Sequence, residues 1–277
     1  MNPEQQPVPG IPGAVMRQVD HVSDELPGGL PAGPRMFAKP GQLLLAQPGI
    51  GRFLSTDGGL IEFSVDEAAD EGMVTLLLHG TARGALIHQR GELPFHACTL
   101  VPPGGGRAIA ICGRSGAGKS TLGAELSRRG WRLVADDTTR VTWQNDHPLA
   151  WPSRDSIKLW KDACESAGID VSKLERVAQA LEKFYIHVAS VNEPVRLGTI
   201  IELTPDGADK PALSAGDKMA LVSRHTYRPS NIRPLGMQAQ HVRIVAQTAA
   251  ACRVLRLPSD RSKSVREMAD AVEAAVR

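Results

Sequence analysis

The chain has no apolar run that approaches the length of a membrane span, so nothing in it asks for a transmembrane helix. Its start, Met1-Asn-Pro-Glu-Gln-Gln-Pro7, lacks the basic and apolar regions of a secretory signal, and the expected location is cytoplasmic. There is almost no charge imbalance. Lys and Arg number 32 against 30 Asp and Glu, a net charge of +2, which leaves no electrostatic case for a nucleic-acid or membrane partner. There is no C-x-x-C: Cys98, Cys112, Cys164 and Cys252 are scattered and read as buried reduced thiols, not as disulfide or zinc ligands. The histidines show no H-x-x-H or H-x-x-x-H spacing, which argues against a metal site built of protein ligands alone. What is present is 277 residues with 42% hydrophobic content, enough for one large domain or two small ones with a real core.

Residues 1–35 carry Pro3, Pro7, Pro9, Pro12, Pro27, Pro31 and Pro34 among several glycines, and are expected to be a flexible tail. Residues 36–90 form a small strand-and-helix N-terminal region. Its strand candidates are 42–46, 52–55 and 60–65, with the hairpin signal Thr56-Asp-Gly-Gly59 between the last two. Asp66 and Glu67 open an acidic patch able to start a helix, and 74–89 is helical in pattern. The remainder, 91–277, reads as strands alternating with helices. Residues 94–101 and 107–112 are apolar strands joined by the turn Pro102-Pro-Gly-Gly-Gly106, hence an antiparallel pair. Strands are also expected at 131–137, 158–160, 199–203 and 252–257. Helices are expected at 121–129, 161–167, 172–183, 237–250 and in the last segment, which Ser259 or Asp260 could cap. This order implies an α/β core with a mixed sheet.

The most specific feature is Gly113-Arg-Ser-Gly-Ala-Gly-Lys-Ser-Thr121, which fits G-x-x-x-x-G-K-[ST] between a strand and a helix. Glycines let backbone N–H groups wrap a phosphate where a Cβ would obstruct the turn. In such a loop Gly113, Arg114, Ser115, Gly116, Ala117, Gly118, Lys119, Ser120 and Thr121 bind the nucleotide, Lys119 reaches the terminal phosphates and the Ser120 hydroxyl meets Mg²⁺. An apolar run, Trp131-Arg-Leu-Val-Ala135, then ends in Asp136 and Asp137. Phosphoryl transfer uses carboxylates in two roles, one at the metal and one at the attacking hydroxyl. A developing phosphoryl charge also wants cations, and Lys158, Arg228, Lys183 and Arg154 are the candidates.

Three phrases together resemble one family: His96-Ala-Cys-Thr-Leu100, Ile109-Ala-Ile-Cys-Gly-Arg-Ser-Gly-Ala-Gly-Lys-Ser120 and Arg128-Arg-Gly-Trp-Arg-Leu-Val-Ala-Asp-Asp137 look like the catalytic domain of HPr serine kinase/phosphorylase. The resemblance is strong over about 90–140 and fainter beyond, where it is similar to the family's broader relatives, including lasso-peptide precursor kinases. It implies an α/β P-loop mixed sheet of the HPr kinase/PEP carboxykinase type, with a P-loop kinase domain over 91–277 and a small β-rich N-terminal region. It implies ATP and Mg²⁺ as cofactors, Asp136 as general base, Asp137 with Ser120 at the metal, Lys119 as catalytic cation, and His96 lining the site. It implies an acceptor serine on a peptide or small protein, a lasso-type precursor foremost, and an oligomer. The family's Arg-Gly-x-Gly-x-Ile signature is missing; Val195-Arg-Leu-Gly-Thr-Ile200 is the nearest text, and residues 1–90 do not match the HPr kinase N-terminal domain. These departures point to a specialised serine kinase whose acceptor is not HPr. The competing readings are a small-molecule hydroxyl kinase on the same fold and an ATP-sensing module without transfer, which the adjacent Asp pair disfavours.

Overall fold

The computed structural model describes residues 5–205, 213–259 and 263–277. It divides into two compact units, one comprising Met1–Pro94, Arg176–Glu182 and Tyr227–Arg243, the other Phe95–Glu175, Lys183–Thr226 and Ile244–Arg277. The sequence suggested uninterrupted regions divided near residue 90. Instead, two later segments return to the first unit.

The first unit is built on a seven-stranded sheet in the order β1-β2-β7-β6-β5-β4-β3. The strands are β1 (Gln6–Pro7), β2 (Val15–Gln18), β3 (Leu30–Gly33), β4 (Met36–Lys39), β5 (Gln42–Gln47), β6 (Gly51–Thr56) and β7 (Leu60–Val65). The expected hairpin forms, with Thr56 opposite Leu60. Residues 5–35 are not a tail. They supply three strands and the buried side chains of Val8, Ile11, Ala14, Val22 and Ala32. Their prolines are accommodated because Pro7 and Pro31 lie in β1 and β3, the two edges of the sheet, where a missing N–H removes no interior ladder bond. Two short helices, α1 (Glu71–Leu77) and α2 (Arg83–Gln89), cover the core around Phe53, Ile61 and Leu86, with a π-helical turn at Leu78–Ala82 between them. Helix α1 begins later than the acidic patch at 66–67, because Asp70 supplies the cap by accepting from the Gly72 amide at 2.9 Å. The strand β8 (Leu93–Phe95) follows.

In the second unit the central strand is β10 (Ala108–Gly113), buried at all six positions. A strand covered on both faces must be apolar throughout, as this one is. It pairs antiparallel with β9 (Ala97–Val101) and parallel with a later strand, β17 (Val195–Thr204). The next elements are α3 (Lys119–Arg128), β11 (Arg132–Ala135), β12 (Thr139–Gln144), β13 (His147–Trp151), β14 (Ser156–Trp160) and α4 (Lys161–Ser166). Then come β15 (Arg176–Ala178), which belongs to the first unit, β16 (Leu181–His187), which begins in it, α5 (Ala215–Arg224), α6 (Gln238–Ala251), whose first half belongs to it, β18 (Arg253–Pro258) and α7 (Val265–Val276). The main sheet runs β11-β9-β10-β17, with β18 parallel to β17 and β13 antiparallel to it. It is an α/β fold with a mixed sheet. All four cysteines are free and buried. Among the described residues no helix is long and apolar enough to cross a membrane.

The helix expected at 172–183 is absent. A single 3₁₀ turn at Val171–Lys173 is followed by β15 and β16. The apolar spacing of Leu174, Val177 and Leu181 suits either structure, and tertiary contacts decide between them. Asp70 accepts from the Gln179 and Ala180 amides and holds a turn there, while Gly72 lies so close to the Val177 carbonyl that a Cβ would come within 2.3 Å of it. The final helix is capped by Ser264, not by Ser259; Asp260 lies outside the described residues.

Two contacts lock the second unit. Gly123 on α3 lies against β9, where an added Cβ would meet the Cys98 sulfur at 2.4 Å. On β17, buried Glu202 stands opposite Arg256 of β18 and receives Arg256 Nε at 3.0 Å, Arg224 at 3.0 Å and His225 Nε2 at 2.8 Å. Burial raises the pKa of this carboxyl, but the bonds from His225 and Arg256 and the Arg224 charge outweigh it and bring it to about 2.

We expect Gly123→Ala to cost about 1–3 kcal/mol of stability in denaturant titrations through overpacking, with much of that regained in a Cys98→Ala background. An equal loss in both backgrounds would clear the sulfur as the obstacle. A carboxyl held low in the folded state contributes stability above its ordinary value and loses it on acidification. For Glu202 that loss falls between pH 4.5 and about 2. Glu202→Gln should flatten this acid limb and cost about 1–3 kcal/mol at neutral pH, because it removes the charge that Arg256, Arg224 and His225 bond to.

Candidate active site

The loop between β10 and α3 combines glycine geometry with open space. Gly116 and Gly118 take φ of 78° and 86°, in the left-handed region, and nothing lies within 4 Å of where their Cβ atoms would stand. Gly118 is the N-cap of α3 and offers no side chain to the first-turn amides, which have no acceptor within the helix. Lys119 is buried, and its ammonium folds back onto the carbonyls of Gly113 at 3.0 Å and Arg114 at 3.2 Å. Burial lowers its pKa, and the charges of Asp137 and Asp136 partly oppose that.

A cavity of about 260 Å³ opens beside this loop, lined by His96, Lys119, Ser120, Asp137, Lys158 and Lys183 among others. Ser120 and the two acids were expected together, and they are together, but the pairing differs. The Ser120 hydroxyl donates to Asp136 Oδ1 at 2.9 Å, not to Asp137. The other Asp136 oxygen accepts from the Lys158 amide at 3.1 Å. The chain turns sharply here: Asp137 has φ of 71°, which swings its carboxylate away from its neighbour's partners and into the cavity. There Asp137 Oδ2 meets Lys158 Nζ at 3.0 Å and Oδ1 lies 3.5 Å from His96 Nδ1. Burial raises the Asp137 pKa, but Lys158, His96 and Lys183 overcome it and hold the carboxyl at about 2. The carboxylates in turn outweigh burial at Lys158 and raise its pKa.

His96 occupies the break between β8 and β9. Its backbone amide donates to the His225 carbonyl at 2.8 Å, and its Nδ1 is 2.7 Å from the Asp137 carbonyl. Burial, then the charge of Lys119, lowers its pKa. Lys183 lines the cavity and stands over the Trp160 ring at 5.2 Å; burial and the neighbouring Lys158 lower its pKa.

The other two basic candidates are elsewhere. Arg154 is exposed and stacks on Tyr185 at 5.5 Å. Arg228 belongs to the first unit, in a left-handed conformation, with its guanidinium over the Tyr227 ring and against the Met36 sulfur. Trp160, half exposed at the cavity rim, was not anticipated. Its signal was its place two residues after Lys158 in a strand of alternating burial. The Glu202 cluster was also missed, although a lone acid inside Ile200-Ile-Glu-Leu203 was the clue.

The residues suit a nucleotide and Mg²⁺. The open glycine turn and unsatisfied first-turn amides suit a phosphate, while Ser120 with the two aspartates offers hard oxygen donors. Among the described residues no three His, Cys, Asp or Glu side chains converge into a metal cluster, so phosphate oxygens and water would complete the coordination.

No family model matches the chain. Over 53 residues it is 42% identical to HPr kinase/phosphorylase from Bacillus cytotoxicus, and equally to those from Bacillus mycoides and Bacillus cereus. That stretch is similar in sequence to HPr kinase/phosphorylase. The matched stretch is 19% of this chain and spans 17% of the length of these relatives. Among solved structures, the Hpr(Ser) kinase/phosphatase from Coxiella burnetii aligns with 43% of this chain and 69% of its own, at 23% identity and a TM-score of 0.29.

Removing the Lys158 ammonium should release the Asp137 carboxyl. In Lys158→Met we expect it to titrate well above 2, toward or beyond its ordinary 3.8, when followed by carboxyl ¹³C NMR. A value still near 2 would mean that Lys158 is not what holds it down.

Proposed function

We propose that this HPr kinase-related chain is an ATP-dependent kinase that transfers the γ-phosphoryl group to a serine hydroxyl of a peptide or small protein. One observation carries the proposal: in a single cavity, an open amide turn and Lys119 stand beside an ionised carboxylate flanked by two further lysines. Binding a phosphate would need only the turn and the lysine. A carboxylate facing the same space supplies what an acceptor hydroxyl requires.

We assign the two acid roles the other way round from the sequence expectation, on the following contacts. Asp136, already on the Ser120 hydroxyl, is the acid placed to join Ser120 at the metal. Asp137 faces the cavity and is placed to orient the attacking hydroxyl and accept its proton. An acid titrating near 2 is a weak base. That is tolerable here because the transition state is loose and the proton leaves late, so positioning dominates. Lys119, on leaving its loop carbonyls, would meet the terminal phosphates, and Lys158 and Lys183 would meet the equatorial oxygens of the moving group. Ser120 and Asp136 would hold Mg²⁺, which would supply positive charge to neutralise the phosphates. His96 holds the turn at Asp137 through its backbone carbonyl.

The test is transfer from γ-labelled ATP to serine peptides, beginning with lasso-type precursor peptides. Label appearing only in small molecules would favour a metabolite kinase, and ATP binding without transfer a sensing module. Lys119→Met should abolish transfer. Asp137→Asn should lower kcat by about 10²–10⁴-fold with nucleotide affinity retained, whereas Asp136→Asn should chiefly raise the Mg²⁺ concentration needed. The opposite pattern would return the base to Asp136.

A further inference from the structure

Glu202 interrupts an otherwise apolar buried stretch of β17, Ile200-Ile-Glu-Leu203. A buried ion cluster is seldom the most stabilising use of such a position, because desolvation offsets much of the attraction and packed apolar side chains often serve as well. What the cluster can supply instead is a fixed geometry. We infer that His225 is a positioning residue: anchored by Glu202, it sets the place of His96 and, through His96, the turn that presents Asp137 to the cavity. Its part in phosphoryl transfer rests on the kinase proposal above; the anchoring itself does not.

The links run without a gap. Glu202 lies opposite Cys112, the residue before the glycine loop, in the parallel pairing of β17 with β10. Its Oε1 is 2.8 Å from His225 Nε2, which donates, because a carboxylate only accepts. Both residues are buried. His225 caps the end of α5, where its amide donates to the Leu221 carbonyl at 3.2 Å. The next residue, Thr226, forms an antiparallel bridge with Phe95. The His225 carbonyl thereby meets the break between β8, which ends at Phe95, and β9, which starts at Ala97. There it accepts from the His96 amide at 2.8 Å. The His96 ring carries the chain onward, with Nδ1 2.7 Å from the Asp137 carbonyl. A carbonyl only accepts, so Nδ1 bears the proton and the ring is oriented by that bond. The Asp137 backbone it holds has φ of 71°, a conformation that non-glycine residues adopt sparingly and that needs support from its surroundings. Four residues from four separate segments thus connect the ion cluster to the acid turn.

The ring nitrogens of His96 report the anchoring directly. They can be read by NMR at neutral pH in the full chain carrying ¹⁵N-histidine, without nucleotide, and assigned by their loss in His96→Gln. Wild type should show a single form with the proton on Nδ1. His225→Phe keeps a ring but loses the bond to Glu202, and the His96 proton should then be shared with Nε2. His225→Gln, whose amide can still reach Glu202, should restore the single form, and His225→Leu repeats the loss should the Phe ring not fit. In transfer from γ-labelled ATP to a serine peptide, His225→Phe should lower kcat about 3- to 30-fold with both KM values within about twofold of wild type, and His225→Gln should regain most of it. An unchanged His96 signature would overturn the inference, whatever happens to the melting temperature. So would an unchanged kcat in a chain that does transfer. A signature lost and rescued in a chain that phosphorylates no acceptor would uphold the anchoring and remove the kinase reading alone.

Discussion

The 2.9 Å bond from the Ser120 hydroxyl to Asp136 ties the start of helix α3 to the end of strand β11. Without it the loop over α3 and the acid turn would be two separate features of one sheet. With it, Asp136 is committed to the helix and to the Lys158 amide, and the positive φ at Asp137 sends the next carboxylate the other way. Two adjacent acids thereby face different partners. A strand alone would also put them on opposite faces, but only a turn at the strand's end lets both remain beside one loop.

The charges of the cavity are mutually dependent. Asp137 is low because Lys158, His96 and Lys183 surround it, and Lys158 is high because the acids surround it. Each group buried alone would tend to neutralise. The cluster keeps them ionised beside one another, and fixed charge already in place needs no rearrangement to act on charge that develops there. A similar logic governs Glu202, whose cations come from a neighbouring strand and from the end of a helix. Through the His225 carbonyl that cluster also fixes the backbone of His96, so a structural ion cluster and the cavity share one connection.

Much of the fold was legible where local chemistry and tertiary context agree. The hairpin around Thr56–Gly59 formed as its turn residues implied, the run at 107–112 became the central strand, and Gly118 preceded a helix beginning at Lys119. The failures have physical causes. The prolines of residues 5–35 suggested disorder, but two edge strands of a sheet give proline positions where it costs little, and the sequence does not say which strand is an edge. The segment 172–183 has apolar spacing compatible with helix and strand alike, and Asp70, a hundred residues away, holds its turn. Of the four basic candidates, Lys158 and Lys183 line the cavity because β14 and β16 pair with Lys158 opposite Tyr185. Arg154 and Arg228 were equally plausible as letters in a sequence and are bound up elsewhere.

From the sequence alone came the glycine loop, its lysine and hydroxyl, the acid pair and the strand–loop–helix order, because these depend on residue type within a few positions. Which acid meets Ser120 and which cations surround Asp137 were decided only by tertiary structure. Those facts depend on the turn at Asp137 and on the antiparallel pairing of β14 with β16, which brings Lys158 and Lys183 to one cavity, and no local preference encodes such a meeting.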